Sequence, residues 1–161
     1  MKSQLVLVLV AACGASAAEI KTAKTATYKL NAHDMLQLSE EVASENYKIG
    51  DVDDGQLTFI TAPQWYSAEG DRESPGAGGF VQMADRSVEV ALIVQVVQLE
   101  SGDVAVTVTP KTFQEISGSP KPRELAHDDP NLPPWVHGRA DDLALAIYRR
   151  AKPQVDRQGL Q

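Results

Sequence analysis

The chain has 161 residues, a formal net charge of −7 and a single cysteine. That length fits one domain whose core can be stable without cross-links, and one cysteine leaves no disulfide to be formed within the chain. The acidic balance argues against a nucleic-acid partner, which needs clustered lysine and arginine to meet phosphates.

Met1-Lys2 gives a short positive start, and Leu5 to Ala12 is a compact apolar run. The run is too short to cross a bilayer but has the length of a signal-peptide core. It leads directly into Leu9-Val10-Ala11-Ala12-Cys13, which resembles the bacterial lipobox, where small residues precede a cysteine that takes lipid and becomes the new N-terminus. On this reading residues 1–12 are a signal peptide and Cys13 is the lipidation site. Acyl chains there anchor the protein to a membrane, each buried CH₂ contributing about 0.8 kcal/mol. Gly14 follows, not Asp. By resemblance to the sorting pattern of enterobacterial lipoproteins, that points to the outer membrane and its periplasmic face. Ala15-Ser16-Ala17 offers a rival small-x-small cleavage site that would release a soluble periplasmic or secreted chain starting at Ala18. Small and polar residues from Cys13 to Thr27 read as a flexible tether.

A single domain is expected over residues 28–153. Thr25 to Leu30 alternates weakly, as an edge strand does. Asn31 is a good helix N-cap, with Asp34 suited to the first turn. Met35, Leu38 and Val42 then form one stripe, flanked by Leu36, Ala43 and Tyr47, and Asn46 is suited to close the helix. Asp53-Asp54-Gly55 between two short alternating runs predicts a hairpin, and Pro63 ends its second arm.

Ala62 to Arg86 reads as a long surface loop of breaker and polar residues. Its glycines are not followed by a Lys-Ser/Thr pair, so they do not form a phosphate-binding loop. Trp65 and Tyr66 at its entrance suit either packing over a sheet edge or contact with a partner. They are the candidate partner-binding residues.

Ser87 to Thr109 holds the longest β-branched run, broken at Ser101-Gly102-Asp103, and predicts the central hairpin. With Ser101-Gly102 as the loop, Leu99 faces Val104 and Val97 faces Val106. One apolar face then carries Val97, Leu99, Val104, Val106 and Val108. Further back the apolar parity is Val88, Val90, Leu92 and Val94, the opposite face. A strand changes face only by inserting a residue, so a β-bulge is expected near Gln95-Val96.

Ser117 to Pro134 has no period and reads as a loop. His127-Asp128-Asp129 and His137 lie there and just beyond, but structural zinc sites use tighter paired spacings, so no metal is assigned. Gly138 to Lys152 predicts a helix with acids in its first turn and bases in its last. Pro153 is expected to end it, Trp135 to plug the gap ahead of it, and residues 154–161 to form a polar tail.

These elements predict an α+β domain, an antiparallel sheet of about four strands with two helices on one face, in a two-layer, helix-grip-like arrangement. A lipobox, a helix ending in Tyr47-Lys48-Ile49, the run Asp53-Asp54-Gly55-Gln56-Leu57-Thr58-Phe59 and a terminal helix together resemble the repeating domain of the BamC/NlpB outer-membrane lipoproteins. The likeness spans residues 30–150 at the level of element order. It departs from the family in having one such domain and a long insertion at Ala62 to Arg86. What it implies is a non-catalytic accessory protein of the bacterial envelope, without cofactor, working through an envelope protein partner. A small-ligand or lipid carrier using the groove between helices and sheet is the alternative. A secreted hydrolase is a further one, although none of the loop serines sits in a Gly-x-Ser-x-Gly elbow.

Overall fold

A computed structural model describes residues 16–73 and 85–158, with side chains to residue 152. The expected signal peptide and Cys13 lie outside the described residues. The fold is α+β, with three helices and seven strands in one antiparallel sheet among the described residues.

The centre is the hairpin of β5 (Val88–Gln98) and β6 (Val104–Gln114). They pair without interruption from Val88 opposite Gln114 to Gln98 opposite Val104, and no bulge occurs. The expected register is thus off by one residue on the β5 side. The connection is not a two-residue Ser-Gly turn. Leu99 N–H donates to the Asp103 carbonyl and Gly102 N–H to the Leu99 carbonyl, with Gly102 at φ +88. This longer loop keeps Val88, Val90, Leu92, Val94 and Val96 on one buried face with Val104 and Val106. Val97 falls on the other face and is 38% exposed.

Short strands flank the hairpin. On the free side of β5 lie β4 (Gln64–Tyr66), opposite Val88 to Val90, and β3 (Thr58–Thr61), opposite Ile93 to Gln95. β2 (Ile49–Asp53) pairs with β3 through an irregular register and forms that edge. On the free side of β6 lie β1 (Thr27–Tyr28), opposite Val104 and Ala105, and β7 (Arg123–Leu125), opposite Thr112 to Gln114. Strands β4 and β7 fall inside the two stretches expected to be loops. Each is three residues long, too short to show alternation.

The backbone phase of β6 follows from its ends. Glu115 N–H donates to Ser87 and Asp103 accepts from Leu99, so odd positions turn their N–H and C=O toward β5. Pro110 is therefore tolerated in mid-strand, because its missing N–H lies on the side away from β5.

All three helices pack on the face that carries Val94 and Val104. α2 (Ala32–Ser44) starts as expected, the Asn31 side chain accepting from His33 N–H at 2.9 Å. Its Met35, Leu36, Leu38, Val42 and Ala43 are buried. Glu45, in right-handed geometry, forms its C-cap instead of Asn46. α3 (Pro134–Gln158) begins four residues before Gly138 and continues past Pro153, so neither the expected start nor the expected stop holds. An interior proline costs a helix one i→i−4 hydrogen bond, about 3 kcal/mol, and α3 nevertheless runs through Pro153. Each large aliphatic side chain buried between these layers contributes about 1.5–3 kcal/mol.

The stretch expected to be a tether contains α1 (Ala17–Thr25). Ser16 caps it by accepting from Glu19 N–H at 3.2 Å. Lys24 pairs with Asp141 at 2.8 Å, and Arg149 grips Glu19 through Nε and Nη2, both at 2.9 Å. Ala23 is the helix's buried residue, so α1 leaves almost no apolar stripe to read.

Candidate functional site

Trp65 and Tyr66 stand on opposite sides of β4. Tyr66 is opposite Val88 and 1% exposed. Its ring meets Trp135 with centroids 5.2 Å apart, and the Arg139 guanidinium lies 4.4 Å above it. Trp135 Nε1 donates to the Ala68 carbonyl and Arg139 Nη2 to the Gly70 carbonyl, both at 2.9 Å. Gly70 has φ +96, and a Cβ there would come within 3.0 Å of the Trp135 ring. Tyr66 is therefore built into a clamp that ties the segment after β4 to α3, and its ring is not available to a partner. Trp65, half-buried opposite Glu89, is the accessible member of the pair.

Trp135 and Arg139 are one helical turn apart, the spacing that lets two side chains grip one target. A helix begun at Gly138 hides that relationship. Beside the clamp, a polar cleft of about 440 Å³ is lined by Tyr47, Arg72, Arg139 and Asp142, with Glu45 at its edge. Glu45 pairs with Arg150. Burial raises the Tyr47 hydroxyl above its ordinary pKa, with the Arg139 cation opposing the shift.

The histidines separated in sequence do meet. His127 and His137 stand edge to face with centroids 4.6 Å apart. Asp129 does not join them. Its carboxylate binds Arg123 and the Asn131 backbone and side chain, which holds it below the usual carboxylate range. Among the described residues no three potential ligands converge on one point.

Among the described residues, no helix packs on the sheet face opposite Val94 and Val104. Across it run Trp65, Glu89 and Phe113 in one row and Ile60, Ile93 and Thr109 in another, with Ala91 and Lys111 between them. Two shallow hollows interrupt this face. One of about 100 Å³ lies among Ile60, Pro63, Ala91 and Phe113, rimmed by Glu89 and Lys111. The other, about 200 Å³, lies beside Ile60, Ile93 and Val52. Burial raises the Glu89 carboxyl above its ordinary pKa. Of the apolar residues from Val88 to Val94, Ala91 and Ile93 lie on this face, since the even positions point into the core.

No family model matches the chain, and a search of curated proteins returns no match.

Proposed function

We propose that the protein is a lipid-anchored, periplasm-facing binding module of the bacterial envelope, held in the outer membrane through Cys13 and acting without catalysis. The observation that carries this reading is the two-sided sheet. Among the described residues three helices cover one face, while the other presents Trp65, Ile60, Ile93 and Phe113 around shallow hollows. Half-buried aromatic and aliphatic side chains interleaved with Glu89 and Lys111 suit a protein contact that combines apolar and charged partners. The lipobox sequence supplies the address, and the helix-grip-like layering agrees with the accessory role implied by the resemblance to BamC/NlpB.

The order of α1 sharpens the picture. Three residues, Gly14 to Ser16, separate Cys13 from the first helix, and a chain that short reaches about 10–14 Å. Lipid on Cys13 would hold the start of α1, and the Arg149 turn that grips Glu19, close to the headgroups.

The test is the Cys13→Ala variant in the native host. It is expected to leave the membrane fraction and to lose a photocrosslink placed at Trp65 or Phe113. A soluble variant that keeps the same crosslinked partner and full function would contradict the anchoring half of the proposal.

A further inference from the structure

We infer that the outer edge of β6 between β1 and β7 is a strand-addition site, which takes a short extended segment of a partner protein. This rests on the reading of the domain as a binding module and says where, and by what chemistry, a partner is held.

β1 ends its pairing at Ala105 and β7 begins at Thr112, so Val106 to Lys111 have no strand on that side among the described residues. The phase of the β5–β6 ladder turns even positions outward. The N–H and C=O of Val108 and the C=O of Pro110 therefore point to the side where, among the described residues, no strand lies in the lane between β1 and β7. Six residues of strand are about 20 Å long.

Directly beside this lane lies a hollow of about 240 Å³, lined by the β6 edge from Val106 to Thr109 and by Ala140 and Ala144, with Lys24, Asp141 and His127 also against it. Side chains alternate across a strand, so every second side chain of an added segment would point to the α3 side of this hollow, toward Ala140 and Ala144, and the others to the opposite face of the sheet. Ala140 and Ala144 are small, which leaves room for medium aliphatic side chains. The partner segment is thus extended, antiparallel to β6 as β1 and β7 are, and alternates small or medium apolar residues with polar ones.

The flanking strands decide against a second copy of this chain pairing β6 to β6. β1 and β7 occupy the same lane, so an eleven-residue β6 could not enter it. The opposite edge of the sheet is guarded differently: β2 carries Asp51 and Asp53 and an irregular register, devices that discourage pairing. Thr107 to Thr109 carry no charge.

The test uses the full chain. A random seven-residue peptide library displayed on phage is selected against it, and the selected peptide is synthesised with N-methyl groups on alternate amides. Strand addition predicts that methylation in one phase lowers affinity at least tenfold and in the other phase leaves it unchanged. It also predicts that bound peptide slows hydrogen exchange at the Val108 amide at least tenfold. Val108→Pro removes the outward donor without touching the β5 ladder, and is expected to keep the unfolding midpoint within a few degrees while losing binding tenfold or more. Failure to select any peptide, methylation effects without alternation, or protection elsewhere with Val108 unprotected would overturn the inference. If Val108→Pro does not fold, the methylation pattern and the Val108 exchange rate decide alone. Peptides that protect the Trp65 and Phe113 amides instead would refute the lane and leave the binding-module reading intact.

Discussion

The Arg139 guanidinium sits 4.4 Å above the Tyr66 ring, which joins the third helix to the short strand β4 through a single cation. Arg139 also donates to the Gly70 carbonyl at 2.9 Å, so one side chain fixes both the strand and the turn that follows it. Arg139→Ala is expected to destabilise the fold by about 1–3 kcal/mol, from the lost ring contact and charged hydrogen bond. Arg139→Lys should recover only part of this, because lysine lacks the planar fork. Urea denaturation of the three proteins measures it. An alanine variant within about 0.5 kcal/mol of the parent would show that the clamp is dispensable.

Gly70 makes the same point by steric means. Its φ of +96 is unfavourable to other residues, and a Cβ would meet the Trp135 ring at 3.0 Å. Gly70→Ala should cost about 1–3 kcal/mol, the scale of strain at a left-handed position that must also displace a neighbour. Thermal unfolding followed by Trp fluorescence reads both the loss and the displaced ring.

The register of the central hairpin can be tested with one pair of neighbours. Val96 is 2% exposed and Val97 38% exposed. Val96→Asp should cost about 4 kcal/mol or more, by burying an unpaired carboxylate, whereas Val97→Asp should stay within about 0.5 kcal/mol. The register first read from the turn residues predicts the reverse order, so the sign of the difference decides.

Glu89 links stability to pH. Burial raises its carboxyl pKa in the folded state, in a row between Trp65 and Phe113 with Lys111 at the rim of the same hollow. A raised folded pKa means that the unfolded chain releases the proton first. This contribution therefore favours folding below the ordinary value of 4.5 and is lost as pH rises from there through the folded value. Glu89→Gln should be more stable than the parent at neutral pH and lose that part of the pH dependence. Glu19 and Asp129 act oppositely, because their pKa values are lowered by Arg149 and by the Asn131 and Arg123 contacts, and they favour folding more as pH rises. Unfolding curves from pH 4 to 8 for parent and Glu89→Gln give the comparison, and identical slopes would contradict it.

The parts of this fold that were legible in the sequence are those with a strong period or a clear cap. Asn31, Met35, Leu38 and Val42 located α2, and Asp53-Asp54-Gly55 located the β2–β3 hairpin. The parity of Val88 to Val94 was legible too. Ser101-Gly102 misleads because the loop closed between Leu99 and Asp103 holds more residues than a two-residue turn. Elements too short or too polar to show a period were not legible. β4 and β7 have three residues each, and α1 buries Ala23 while holding its place by ion pairs to Asp141 and Arg149. Of the candidate contact residues, Trp65 lies on the face away from the helices and Tyr66 inside. Sequence could place both at a sheet edge but not decide which side each takes, because that depends on pairing with Glu89 and Val88. The gap between β1 and β7 is a property of backbone pairing and leaves no trace in composition.

Lipid on Cys13, as proposed, would set where the domain works and how closely α1 lies to the bilayer. Intact-mass and fragment spectrometry of the protein purified from a membrane fraction tests it directly. The prediction is a mature chain that begins at Cys13 and carries diacylglyceryl, with or without a third acyl chain. An unmodified chain beginning at Ala18 would contradict it, and would also lack Ser16, the residue that caps α1.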